Sequence, residues 1–144
     1  KFVSAIEQGQ PIDVYGEGKM RRDFTYVDDL IEGVVRLVDA PPQMGAPVAF
    51  AGGVDSLSPV APWRAVNIAG GQPVELMDFI RIIEKLVGKP AVMNLLPMQQ
   101  GDVVETFAHP GLLAALTGFS PSIGVEQGVA AFVDWYRDWV AAEA

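Results

Sequence analysis

Apolar residues follow two rhythms along the chain, helical spacing and strict alternation, and the two take turns. Phe2, Val3 and Ile6 share one face of an opening helix, which Gly9 ends. "PIDVY" (11–15) alternates, with Ile12 and Val14 facing one way, and reads as a strand. After the glycine-rich stretch 16–22 and a short extended "DFTY" (23–26), the spacing predicts a helix over 27–39. Its stripe is Leu30, Val34, Leu37 and Val38, its first turn holds Asp28 and Asp29 at the positive end of the helix dipole, and Pro41-Pro42 stops it.

Residues 40–62 are rich in proline and glycine and show no period, so they read as a long loop, functional or mobile. "RAVNIAG" (64–70) reads as a strand ending in Gly70-Gly71. A helix starting around Gln72, with Pro73 at its first position, is expected to run to about Val87 with Phe79, Ile82, Ile83 and Leu86 inward. "AVMNLLP" (91–97) reads as another strand, 110–118 as a short helix and 125–140 as a final amphipathic helix. Strands alternating with helices predict an α/β fold, a small mixed sheet with helical cover.

Composition narrows the function classes. The 144 residues make one domain's worth of chain, and half of them are apolar, enough to bury a core. A net charge of −8 argues against a nucleic-acid partner, which needs a basic surface. No apolar run reaches the length of a membrane span, so no membrane partner is expected. The chain has no cysteine, which removes disulfides, thiolate metal sites and thiol nucleophiles and fits a cytoplasmic location. The single His109, followed by Pro110, reads as a turn residue, and no metal site is expected.

Chemistry is concentrated in "YGEGKMRRDFTYVDD" (15–29). A phosphate-binding P-loop fails, because Met20 stands where Ser or Thr must follow Gly-Lys. A dinucleotide fingerprint fails too, because Arg21 takes the third glycine position. A plain hairpin tip, with glycines for positive φ and charges for solubility, competes with an anion-binding loop. In favour of the anion, Arg22 borders an extended segment that can hold its guanidinium, which offers a diphosphate a two-pronged contact. Tyr15 and Lys19 formally spell Tyr-x-x-x-Lys, but two glycines between them make the helix that such a pair needs improbable.

Four blocks, "GQPIDVYGEGKMRRDFTYVDDLIEGVVRLVD", "RAVNIAGGQPVELMDFIRIIEKLVGK", "NLLPMQQGDVVETFA" and "GVEQGVAAFVDWYRDW", span nearly the whole chain in order. Together they resemble the C-terminal part of nucleotide-sugar epimerases, the extended short-chain dehydrogenase/reductases, and most of all the UDP-glucuronate 4-epimerase group. The resemblance implies that residues 1–144 form a substrate-binding domain excised from a longer protein, its N-terminal Rossmann domain absent. It implies a UDP-sugar ligand, with Arg22 on the diphosphate, Tyr15 against the uracil flanked by Val14 and Gly16, and Asp102 accepting a ribose hydroxyl. Gln99 stands at a neighbouring substrate position that is arginine in UDP-galactose epimerases.

NAD is implied for the full-length protein and not for this chain, which lacks the GxxGxxG turn and the catalytic Tyr-x-x-x-Lys. No catalytic residue is therefore assigned, and the chain alone is expected to be inactive. A dehydratase, another epimerase of the superfamily, or a non-enzymatic interaction module using 40–62 as its contact loop stay open as alternatives. Three positions depart from the family pattern: Gln100 replaces a proline, "FAHPGLL" loses an aspartate helix cap, and Gly124 replaces a capping hydroxyl with only Gln127 kept. Phe132, Trp135, Tyr136 and Trp139 fall at helical spacing, the mark of a core or domain-packing face. If that face lies open, self-association into a homo-oligomer follows.

Overall fold

Alternation and helical periodicity become real elements in the computed structural model, which describes residues 1–143. In chain order these are α1 (Phe2–Glu7), β1 (Pro11–Val14), β2 (Arg21–Arg22), α2 (Val27–Val38), β3 (Val74–Glu75), α3 (Leu76–Val87), β4 (Val92–Leu95), α4 (Gly111–Thr117) and α5 (Val125–Glu143). The chain folds as two compact units, each built from separated stretches. The first comprises Lys1–Arg22, Pro73–Thr106 and the chain from Gly124 onward; the second comprises Asp23–Gln72 and Phe107–Ile123.

The first unit is organised by apolar burial. In α1, Val3 and Ile6 point inward, and in β1 the alternation puts Ile12 and Val14 in the core. They meet Ile80, Ile83 and Val87 of α3 and Val129 and Val133 of α5 in one continuous cluster. Polar groups close its rim. The Tyr136 hydroxyl donates to Ser4 Oγ at 2.9 Å, and Arg137 reaches both Glu7 (2.6 Å) and the Val87 carbonyl (3.1 Å). Gly88 ends α3 in the left-handed conformation at φ 80°, and its amide donates to the Glu84 carbonyl.

The predicted mixed sheet is present as two two-stranded pieces. β1 runs parallel to β4 with Val14 opposite Leu95, and β2 runs antiparallel to β3 with Arg22 opposite Val74.

In the second unit the helix α2 is held by its narrow edge. A Cβ on Gly33 would lie 2.9 Å from Ile68 Cγ2, so only glycine lets the helix approach this closely. One turn earlier the buried Asp29 carboxylate accepts the amides of Ser122 and Ile123, both at 2.8 Å. Residues 40–62 are pinned by a buried ion pair: Arg64 donates to both carboxylate oxygens of Asp55 at 2.8 Å, and Asp55 also accepts the amides of Val48 and Leu57. The Arg64 hydrogen bonds pull the Asp55 pKa down to about 2. His109 serves as a turn residue and as a substitute cap, its Nδ1 accepting the Gly111 amide at 3.0 Å as α4 begins.

Several sequence expectations change. Residues 64–70 are extended but belong to no strand, since no described segment pairs with them. The helix after Pro73 starts three residues later, because Val74 and Glu75 are taken by the ladder with β2. Its fully buried positions are Ile80, Ile83 and Val87, with Phe79, Ile82 and Leu86 at the border, a stripe rotated by about one residue. Of the α2 stripe, Leu30, Val34 and Val38 face outward and Leu37 is half-buried. On α5 the seam runs through Val129 and Val133, while Phe132, Trp135 and Trp139 are exposed and stack on one another's neighbours along the surface.

Candidate functional site

All six residues implicated in nucleotide-sugar recognition lie in the first unit. Val14 ends β1 with its side chain in the core, so the chain leaves the sheet at a fixed point. From there Tyr15 opens a single 3-10 turn, and Gly16, Glu17 and Gly18 all take positive φ (59°, 53° and 75°). Three left-handed residues in a row reverse the chain sharply. At Gly18 a Cβ would also sit 2.5 Å from Met77 Sδ, so the Met77 side chain would have to move.

The turn is therefore not a hairpin tip: β1 and β2, which it joins, belong to different sheets. Tyr15 and Lys19 do not share an α-helix. The Lys19 ammonium instead lies 2.6 Å from Glu17, raising its own pKa and lowering that of the glutamate.

A second segment, residues 96–106, is tied to this turn at both ends. At one end the Leu96 amide donates to the Val14 carbonyl (2.9 Å) and the Glu17 amide donates to the Leu96 carbonyl (3.2 Å). At the other, the Arg21 amide donates to the Val104 carbonyl (2.9 Å) and the Thr106 amide to the Arg21 carbonyl (3.1 Å). Between these anchors the Asp102 amide donates to the Gln99 carbonyl, closing an exposed turn that presents Gln99 and Asp102.

Arg22 is half-buried on β2. Its Nη1 donates to the carbonyls of Arg21 (2.8 Å) and Val104 (3.3 Å), and its Nη2 lies 3.3 Å from Met20 Sδ. These contacts engage three of the five N–H groups of the guanidinium and fix its plane. Arg21 points elsewhere, to Glu105 and to the Pro73 carbonyl, both at 3.2 Å. That cross-link joins β2, the approach to β3 and the end of segment 96–106, and sequence reasoning missed it. Its only signal was a basic residue beside Arg22 and an acidic one three positions after Asp102.

The structure thus places Val14, Tyr15 and Gly16 on one arm, Arg22 on the next, and Gln99 and Asp102 on a segment bonded to both. The arrangement offers a charged fork, an aromatic ring and a carboxylate. Among the described residues no cluster of three or more His, Cys, Asp or Glu is placed to hold a metal, and no helix is long and apolar enough to cross a membrane. The glycine turn leads into strand β2 and not directly into a helix.

The sequence model described as the NAD dependent epimerase/dehydratase family matches residues 1–51. A probable UDP-glucuronate 4-epimerase of Rhizobium meliloti (strain 1021) is 62% identical over 136 residues, 94% of this chain and 40% of the relative. UDP-glucuronate 4-epimerase 5 of Arabidopsis thaliana is 32% identical over 94% of this chain and 30% of its own length. Among solved structures, a mutant UDP-glucuronic acid 4-epimerase from Bacillus cereus, in complex with UDP-4-deoxy-4-fluoro-glucuronic acid and NAD, superposes with a TM-score of 0.75. The identity there is 25%, over 96% of this chain and 38% of the other. The chain therefore spans well under half the length of the relatives it matches. It has the α/β fold of the C-terminal part of extended short-chain dehydrogenase/reductase epimerases, and over residues 1–51 its sequence is similar to the NAD dependent epimerase/dehydratase family.

Proposed function

We propose that residues 1–144 are the nucleotide-sugar-binding part of a longer NAD-dependent epimerase that inverts C4 of UDP-glucuronate. In this reading Arg22 holds the diphosphate with the N–H groups left over from its carbonyl contacts. Tyr15 lies against the uracil, with the backbone of Val14 and Gly16 beside its edge. Asp102 accepts a ribose hydroxyl, and Gln99 lies next to it on the same turn.

The observation that carries the reading is the bonding of segment 96–106 to both Val14 and Arg21, which sets the three recognition elements in one frame. The 62% identity to a probable UDP-glucuronate 4-epimerase supports the choice of sugar nucleotide. NAD and the acid–base residues would come from the remaining part of the polypeptide, an N-terminal Rossmann domain, and the absence of cysteine supports a cytoplasmic setting. This chain's own work is to bind and orient.

Calorimetric titration with UDP, with ADP and NAD as controls, tests the assignment. The expected result is UDP binding in the millimolar range, about −4 kcal/mol, weakened at least ~10-fold by Arg22→Ala. The Arg22→Lys variant keeps the charge and loses the fork, so it should fall in between. A folded chain that ignores UDP, or binds it equally well without Arg22, overturns the assignment.

A further inference from the structure

We infer that Arg21 and Glu105 form a positioning brace that fixes the Gln99–Asp102 turn, and with it the aim of the Asp102 carboxylate on a ribose. This rests on the nucleotide-sugar reading, in which Asp102 meets the ribose and neither residue of the brace touches the ligand.

The brace starts from the backbone. Arg21 and Glu105 form a parallel bridge, with the Arg21 amide on the Val104 carbonyl and the Thr106 amide on the Arg21 carbonyl. The Arg21 guanidinium then reaches two further groups, Nη1 donating to Glu105 Oε1 and Nη2 to the Pro73 carbonyl, both at 3.2 Å. Pro73 directly precedes β3, where Glu75 stands opposite Arg21 in the antiparallel ladder. One side chain thus ties β2 to the approach of a strand on one side and to segment 96–106 on the other. The planar fork of arginine can serve both acceptors at fixed angles, which the point charge of a lysine cannot.

What the brace holds is otherwise held loosely. Between Pro97 and Val103 the one backbone hydrogen bond found among the described residues runs from the Asp102 amide to the Gln99 carbonyl, at 3.2 Å. Gly101 sits inside that turn at φ 91°, a conformation that adds no stiffness of its own. Asp102 lies two residues before the Val104 anchor and three before Glu105, so a shift at the anchor passes straight to its carboxylate. The Val104 carbonyl also receives Arg22 Nη1 at 3.3 Å. The braced point is therefore where the diphosphate and ribose contacts meet. An exposed ion pair adds little to stability. Its effect is expected in aim instead, because a binding group must be held within about 0.5 Å of its productive position.

Titration of the chain with UDP and with the dideoxy analogue of UDP, which lacks both ribose hydroxyls, isolates that aim. The native chain should prefer UDP on the order of 10-fold, the effect of one hydrogen bond to a charged group. Glu105→Gln should reduce the preference to about 2-fold by weakening UDP while the dideoxy analogue binds as before. Arg21→Met should do the same, and the double variant should be no worse than either single one, because the two side chains act as a unit. Arg21→Lys keeps the charge and should retain part of the preference. Equal weakening of both ligands overturns the inference, and so does a preference that survives in Glu105→Gln.

Backbone NMR relaxation on the ligand-free chain separates the brace from the functional reading. In Glu105→Gln the order parameter of the Asp102 amide should fall from about 0.85 to about 0.6 or below, while the Leu96 amide at the other anchor keeps its value. An unchanged Asp102 amide overturns the brace whatever UDP does. A chain that ignores UDP yet loses order at Asp102 keeps the brace and counts against the nucleotide-sugar assignment.

Discussion

The two units of this chain solve opposite problems. In the first, nine apolar side chains from α1, β1, α3 and α5 close into one cluster, and polar groups trim its edge. In the second, Leu112 and Leu113 are buried but polar groups do much of the internal holding, with Asp29 on two amides, Asp55 on Arg64 and His109 on Gly111, while the apolar stripe of α2 faces out. The difference teaches where each unit's stability resides. Apolar burial at ~25 cal/mol per Å² is diffuse and tolerant of small losses. A buried charge accepting amide hydrogens is local, and removing it leaves donors with nothing to replace water.

The sharpest test of the contrast is Ile80→Ala. Ile80 is fully buried where α3 meets α1 and α5, and its truncation should cost about 4 kcal/mol in urea unfolding through lost transfer energy and an uncollapsed cavity. A cost below ~1 kcal/mol would mean that the cluster is not the stabilising core of the first unit. Next in size is Asp29→Ala, which strands the amides of Ser122 and Ile123 and should cost about 2 kcal/mol. Amide exchange would show where the damage falls. The two stranded amides and those of α2 should lose protection while α3 keeps its own.

What was legible in the sequence follows the same division. In the first unit pattern and burial agree: Phe2, Val3 and Ile6 on α1, the alternation of β1 and the end of α3 near Val87 could be read directly. The second unit misled. The stripe through Leu30, Val34 and Val38 was found but its direction was not, since periodicity identifies an apolar face but not what lies opposite it. Residues 64–70 looked like a strand by composition, yet strand pairing requires a neighbour that the described residues do not provide. On α5, Val129 and Val133 fit the gap beside Ile80 and Ile83 and leave Phe132, Trp135 and Trp139 outside, a face that spacing marked as core or domain-packing without separating the two. At the candidate site, residue types could be read from the motif, but the Arg21–Glu105 cross-link joins positions 84 apart and leaves no local pattern.

The polar logic of the second unit can be read by titration. Asp55 has its pKa lowered from 3.8 to about 2 by Arg64, so the folded state binds fewer protons than the unfolded one as the pH falls between those values. Its contribution is therefore fully present above pH ~4 and is lost as the pH drops through ~2. A carboxyl-carbon NMR titration should place its midpoint near 2 in the native chain and return it towards the ordinary value in Arg64→Ala. A midpoint near 4 in the native chain would mean that the pair is open in solution and residues 40–62 are not pinned.

The smallest expected effect is also the one most specific to the contrast. Val35→Ser removes an apolar side chain from the middle of a helix, a change that in α3 would open a cavity. In α2 the side chain is 55% exposed. Valine and serine have similar helix propensities, so little intrinsic preference is lost. The unfolding free energy of the chain should move by no more than ~0.5 kcal/mol, as for a surface substitution. A loss above ~2 kcal/mol would mean that something already covers the face in solution. The dependence of that loss on protein concentration then separates two cases. A cost that vanishes on dilution belongs to contact between copies, whereas one that persists belongs to the chain's own fold and would place α2 in a core after all.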